Sequence, residues 1–133
     1  VHPPQRSRGR ILVMDDEEVI RDVVGEMLQY LGFACDMAVN GEEGLSRYVR
    51  ALQQGDPYAL VISDLHVDAG MGGLEMSRQI LLANPQARIL ISSGDPQDPV
   101  MQEPGKYGFQ GRVKKPYSVQ SLAELMEDLF GQA

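Results

Sequence analysis

The uninterrupted apolar run Ala59-Leu60-Val61-Ile62 stops abruptly at Ser63-Asp64. A short run with no polar alternation fits a strand covered on both faces, as in the middle of a parallel sheet. Parallel strands need crossover connections, usually helical, and the rest of the chain supplies both parts. Ile11 to Met14 and Ile89-Leu90-Ile91 are further apolar runs. Phe33, Cys35, Met37 and Val39 alternate as in a half-buried strand, and Gln110 to Val113 reads as another.

Helical periods lie between these runs. Val19, Ile20, Val23, Val24, Met27, Leu28 and Leu31 recur at helical spacing before Gly32 stops them. Asn40 is placed to cap a second helix, whose apolar side is Leu45, Tyr48, Val49 and Leu52 and which Gly55-Asp56-Pro57 ends. A third helix is expected near Leu74 to Ala83. Ser118 caps a last one, bearing Leu122, Leu125, Met126, Leu129 and Phe130. Asp95 to Gly108 is rich in Pro and Gly, so any helix there is short.

Five strands alternating with about five helices predict a doubly wound α/β fold of three layers, α/β/α, with a parallel sheet in the middle. In such sheets the site lies at the carboxyl ends of the strands. There the chain places Asp15-Asp16-Glu17, Ser63-Asp64, Ser92-Ser93-Gly94 and Lys114-Lys115-Pro116. Three carboxylates drawn together repel one another unless a hard cation sits among them, and an all-oxygen donor set suits Mg²⁺. A carboxylate can attack phosphorus and form an acyl phosphate. Lys115 and Ser93 can donate to phosphoryl oxygens. Each part also has a plainer reading. Acids favour a helix N-terminus, Asp64 can be a turn former, Ser93 can be a turn hydroxyl, and Lys is most often solvated. Their joint occurrence at successive strand ends favours the chemical reading.

Composition narrows the class. The 133 residues suit one domain with its own core. Residues 1–8, Pro- and Arg-containing, read as a tail or linker remnant, and residues 9–133 as the domain. The net charge of -7 argues against binding nucleic acid through phosphate contacts. No apolar stretch reaches the roughly 20 residues of a membrane span, so this segment is not expected to insert into a membrane. The single cysteine, Cys35, excludes an intrachain disulfide and agrees with a cytoplasmic setting. There is no G-x-x-x-x-G-K-[ST] sequence and no G-x-G-x-x-G after the first strand, which argues against a nucleotide module.

ILVMDDEE, AVNGEEGL, LVISDL, GMGGLE, ILISSGD and VKKPYS occur in this order over residues 10 to about 130. Together they resemble the receiver domain of two-component response regulators. The resemblance implies a flavodoxin-like sheet of strand order 2-1-3-4-5 and phosphorylation that depends on Mg²⁺ (or Mn²⁺). Asp64 would be the phosphoacceptor. Asp16 and Asp64 would ligate the metal directly, Asp15 mostly through water, and His66 through its backbone carbonyl. Ser93 would be the switch hydroxyl, Lys115 would pair with the phosphoryl group, and the Lys115-Pro116 bond would be cis. The His66 ring would stand over the site as a gatekeeper. The partner would be the phosphohistidine domain of a histidine kinase or a histidine phosphotransfer domain. Such a domain catalyses only its own phosphorylation and dephosphorylation.

The chain departs from the family pattern in places. The loop DLHVDAGMGG is one residue longer than usual, with Asp68 where Pro is common. Arg112, three residues before Lys115, stands where many receivers place a switch aromatic. The resemblance therefore does not carry over an aromatic-coupled switch or dimerisation through that face. The long loop, Asp98-Pro99-Val100-Met101 and Lys115-Pro116-Tyr117-Ser118 look most like receivers fused to hybrid histidine kinases, whose parent chain is a membrane-associated sensor in some cases. The alternatives are a stand-alone single-domain regulator and a pseudo-receiver that only binds. A phosphatase using an aspartyl phosphate would need a second Asp two residues after the nucleophile, where this chain has His66.

Overall fold

The computed structural model describes residues 9–131. The tail expected over residues 1–8 lies outside the described residues. The elements run β1 (Arg10–Met14), α1 (Glu18–Tyr30), β2 (Ala34–Ala38), α2 (Gly41–Gln53), β3 (Leu60–Asp64), α3 (Gly73–Ala83), β4 (Ile89–Ser93), α4 (Pro99–Gln102), a 3₁₀ turn (Pro104–Tyr107), β5 (Gly111–Lys114) and α5 (Val119–Phe130). All strand pairs are parallel and the order is β2-β1-β3-β4-β5. This is the doubly wound sheet that the apolar runs predict, in the flavodoxin-like order that the family resemblance implies.

Alternate residues of the central strands feed two cores. Leu12, Met14, Val61, Ile89 and Ile91 face Tyr48, Met76, Ile80, Val100 and Met101 on the α2, α3 and α4 side. Ile11, Val13, Leu60, Ile62 and Leu90 face Val24, Leu28, Leu122 and Met126 on the α1 and α5 side. Every residue of β3 and of β4 is buried, which explains why their sequences lack polar alternation. Among the described residues no helix is long and apolar enough to cross a membrane.

The expected caps are made. Asn40 accepts from the Glu43 amide at 2.9 Å, and Glu43 Oε1 accepts from the Val39 amide at 2.8 Å. Ser118 and Ser121 bond reciprocally at the start of α5. Gly32 follows α1 with a φ of 98°, a left-handed turn that glycine adopts without strain.

The bounds of β2 and β5 differ from the sequence expectation, and the short helix expected after β4 is found. β2 excludes Phe33, which turns into the α1/α5 core, and Val39, which is 44% exposed. The Val39 amide is spent on Glu43 instead of the ladder, so the strand ends one residue early. β5 is displaced by one residue because the Gln110 amide, though bonded to Ile89 O at 2.9 Å, precedes the regular pairing. Between β4 and β5 only Pro99–Gln102 is α-helical. Pro99 is tolerated in the first turn, and the chain turns again at Pro104, which has no amide proton to extend the ladder.

Candidate functional site

The site stands at the carboxyl edge of the three central strands and β5. Asp15 follows β1 directly and is 1% exposed. Its Oδ1 accepts from the Glu17 amide at 2.9 Å, which turns the chain into α1. Its backbone carbonyl is held by Arg21 Nη1 at 2.7 Å. Asp64 closes β3 and is 2% exposed, with Oδ1 accepting from the His66 amide at 3.3 Å. Gly73 makes room for this strand end: a Cβ there would lie 2.1 Å from the Asp64 carbonyl oxygen and 2.4 Å from Ser63 Oγ.

Lys115 reaches across from the end of β5. Its Nζ is 2.8 Å from Asp15 Oδ2 and 3.2 Å from Asp64 Oδ1. The approach to Asp15 is an ion pair off the line of a hydrogen bond, so Asp15 Oδ2 keeps acceptor capacity. The Lys115-Pro116 bond is cis. Asp16 is half-buried and its Oδ2 accepts from the Asp68 amide at 2.8 Å. One carboxylate oxygen from each of Asp15, Asp16 and Asp64 falls within 4.8 Å of the others.

This crowding has electrostatic consequences. Burial first, and the neighbouring Asp15 charge second, push the Asp64 carboxyl up to about 6, against the opposing pull of Lys115 and the His66 amide. Burial pulls the Lys115 ammonium down, but the close ion-pair contact with Asp15 and the charges of Asp64 and Asp15 outweigh it and raise the group to about 12. Lys115 is therefore a permanent cation here. Asp64 Oδ2 is buried and has no hydrogen-bond partner among the described residues. An unsatisfied carboxylate oxygen beside two other carboxylates is costly. A divalent cation would relieve that cost, and the exclusively oxygen donor set is the type Mg²⁺ takes. The residues present thus fit such an ion.

Ser93 and His66 require more detail. Ser93 is 1% exposed, and its Oγ accepts from the Asp95 amide at 3.0 Å. Among the described contacts the Oγ bonds neither Asp64 nor Lys115, although the Lys115 amide donates to the Ser93 carbonyl at 3.2 Å. The His66 ring Nε2 meets Asp98 Oδ2 at 3.1 Å, while Asp98 Oδ1 accepts from the Val100 amide at 3.0 Å. It thus links the β3–α3 loop to the start of α4. Arg112 Nη1 donates to Met101 O at 3.0 Å and to Gln102 O at 3.4 Å, closing the other end of α4. Tyr117 OH pairs closely with Ser92 Oγ on the α1/α5 side of β4. Burial raises that phenol to about 12, so it stays protonated at neutral pH. Cys35 is likewise inert, raised to about 11 by burial and by Asp36.

Sequence reasoning missed Arg21, Asp98, Tyr117 and the Asp68 amide. Asp98 was detectable as an N-cap before Pro99. Tyr117 adjoins Lys115-Pro116 but has no periodic signal, and a backbone amide has none at all.

The profile of the response regulator receiver domain matches residues 11–127. The chain belongs to this family. Among curated relatives, the receiver is 30% identical over 116 residues to the uncharacterized transcriptional regulatory protein YkoG of Bacillus subtilis, covering 87% of this chain and 48% of that protein. It is 44% identical over 62 residues to hybrid signal transduction histidine kinase F of Dictyostelium discoideum, covering 47% of this chain and 5% of the kinase. It therefore spans half or less of these relatives. Among solved structures, the response regulator protein TrrA of Thermotoga maritima, in complex with Mg²⁺ and a beryllium fluoride, superposes with a TM-score of 0.75 at 31% identity, over 90% of this chain and 97% of that one. Receivers of two-component systems are phosphoacceptors that work with histidine kinases or phosphotransfer proteins and bind Mg²⁺ in their acidic pocket.

Proposed function

We propose that this receiver accepts a phosphoryl group on Asp64 from a phosphohistidine. The observation that carries the reading is the Asp64 carboxylate itself, buried, held by one oxygen and, among the described residues, unpartnered at Oδ2, with Lys115 Nζ 3.2 Å from Oδ1. In the transfer, a carboxylate oxygen of Asp64 bonds to phosphorus as the donor's N–P bond breaks. The electron pair returns to the imidazole nitrogen, which then takes a proton from solvent. Asp15, Asp16, Asp64 and the backbone carbonyl of His66 would hold Mg²⁺. When bound, that ion neutralises the carboxylates and the charge on the phosphoryl oxygens. Lys115 would move its ammonium from Asp64 to a phosphoryl oxygen, and Ser93 would exchange the Asp95 amide for another.

The test is exposure to a small phosphodonor with Mg²⁺, read by intact mass. One hydroxylamine-labile phosphoryl group is expected, and none on Asp64→Asn. An adduct that survives in Asp64→Asn overturns the assignment. A protein that binds Mg²⁺ yet gains no adduct would be a pseudo-receiver.

For the parent protein, we infer the receiver portion of a hybrid histidine kinase acting in the cytoplasm. The match to a hybrid kinase supports this, as do the long β3–α3 loop and the Asp98–Met101 and Lys115–Ser118 segments. The length of the TrrA match supports a stand-alone regulator instead. The open reading frame around this chain decides: a dimerisation helix with a phosphoacceptor histidine upstream establishes the hybrid.

A further inference from the structure

Lys115 supplies a cation to Asp15 and Asp64. Asp16 has no such contact among the described residues. Among the described residues its carboxylate accepts one hydrogen bond, from the backbone amide of Asp68 at 2.8 Å, across 52 positions of sequence. The donor belongs to the connection between β3 and α3, one residue longer than the family pattern. Asp68 occupies a position where receivers commonly have Pro, which has no amide proton to give.

We propose that the Asp68 amide is a positioning group for Asp16, holding one carboxylate oxygen and leaving the other for a cation. The inference rests on the phosphoacceptor reading only through Asp16 as a cation ligand. Outer partners of metal-ligating carboxylates orient them, and their removal typically costs about 10- to 100-fold in metal affinity.

The loop is able to bear this role because it is anchored at its other end. The Met71 amide donates to Glu42 Oε1 at 2.7 Å, and Met71 O accepts from the Gly41 amide at 2.7 Å. Gly70, with a φ of 85°, lets the loop pass close to Glu42; a Cβ there would lie 2.7 Å from Glu42 Oε1. The amide of Asp68 is thus presented by a segment fixed to α2, not by a free loop tip. The Asp68 side chain is exposed and contributes only further negative charge near the cluster. Amide and side chain therefore make separable predictions.

Asp68→Pro removes the donor, and Asp68→Ala keeps it while removing the carboxylate. In Mg²⁺ titrations by calorimetry, Asp68→Pro is expected to bind about 10-fold more weakly than the parent, and Asp68→Ala within about 2-fold of it. Equal affinity in Asp68→Pro, or an equal loss in Asp68→Ala, overturns the proposal. A second measurement needs no metal and no altered loop. In the metal-free parent protein, hydrogen exchange at the Asp68 amide should be slowed relative to an unstructured peptide, and Asp16→Ala should restore fast exchange. Fast exchange in the parent protein, or unchanged protection in Asp16→Ala, also overturns it. These readouts are independent of phosphoryl transfer, so a failure to form the Asp64 adduct leaves them interpretable.

Discussion

Asp64 is held in the folded protein at a carboxyl value of about 6, above the ordinary carboxylate range, because burial and Asp15 both disfavour its charge. The folded state therefore binds this proton more tightly than the unfolded chain does. Its contribution to stability is full below the unfolded value and is lost as pH rises through about 6. Without metal, Asp64→Asn should gain on the parent protein between about pH 4 and pH 7, by on the order of 3 kcal/mol. Urea unfolding in chelator at the two pH values measures this, and a gap that does not widen with pH contradicts it. Lys115 acts in the opposite sense. Lys115→Met leaves Asp15 and Asp64 buried together without their cation, a loss of about 3 kcal/mol at pH 7. The loss should be smaller at pH 5, where one carboxyl can take a proton.

At the scale of elements, the helices divide by what holds them. α2 and α5 are long, amphipathic and capped, and each was legible from periodicity and one capping residue. α4 has only Val100 and Met101 buried, and its ends depend on Asp98 with His66 at the front and on Arg112 behind. The Asp98 cap can be read before Pro99, but the His66 and Arg112 tethers were not legible: His66 lies 32 positions from Asp98, and Arg112 bonds carbonyls that carry no residue identity. Arg112→Ala should cost less than about 1 kcal/mol globally, since its bonds are peripheral. It should nevertheless speed amide exchange across 99–107 more than in α3, because few apolar contacts hold that segment. Asn40→Ala tests the contrast. Loss of the α2 cap should lower global stability by about 1 kcal/mol in urea unfolding, without selective loosening of α4.

For the whole molecule, the same edge that collects the chemistry also concentrates charge. Parallel direction was readable from apolar runs that alternate with helical periods, and one topological rule brings the strand ends together, while the strand order came from the family resemblance. The gathering of Asp15, Asp16 and Asp64 follows from the same rule, but the direction of each oxygen was not readable, because it depends on where Lys115 and the loop amides place it. A protein of net charge -7 that buries Asp15 and Asp64 is stabilised by any ion that binds them only when folded. Mg²⁺ at about 100 times its Kd should therefore add about 2.7 kcal/mol to unfolding stability, and chelation should remove it. Sodium chloride at matched ionic strength should not reproduce the gain, since screening acts mainly on exposed charges. The double variant Asp15→Asn, Asp16→Asn should lose most of the Mg²⁺ increment while keeping the fold, because its remaining carboxylate, Asp64, still has Lys115. If sodium chloride matches Mg²⁺, or the double variant responds fully, the stabilisation comes from the diffuse charge of the surface and not from this cluster.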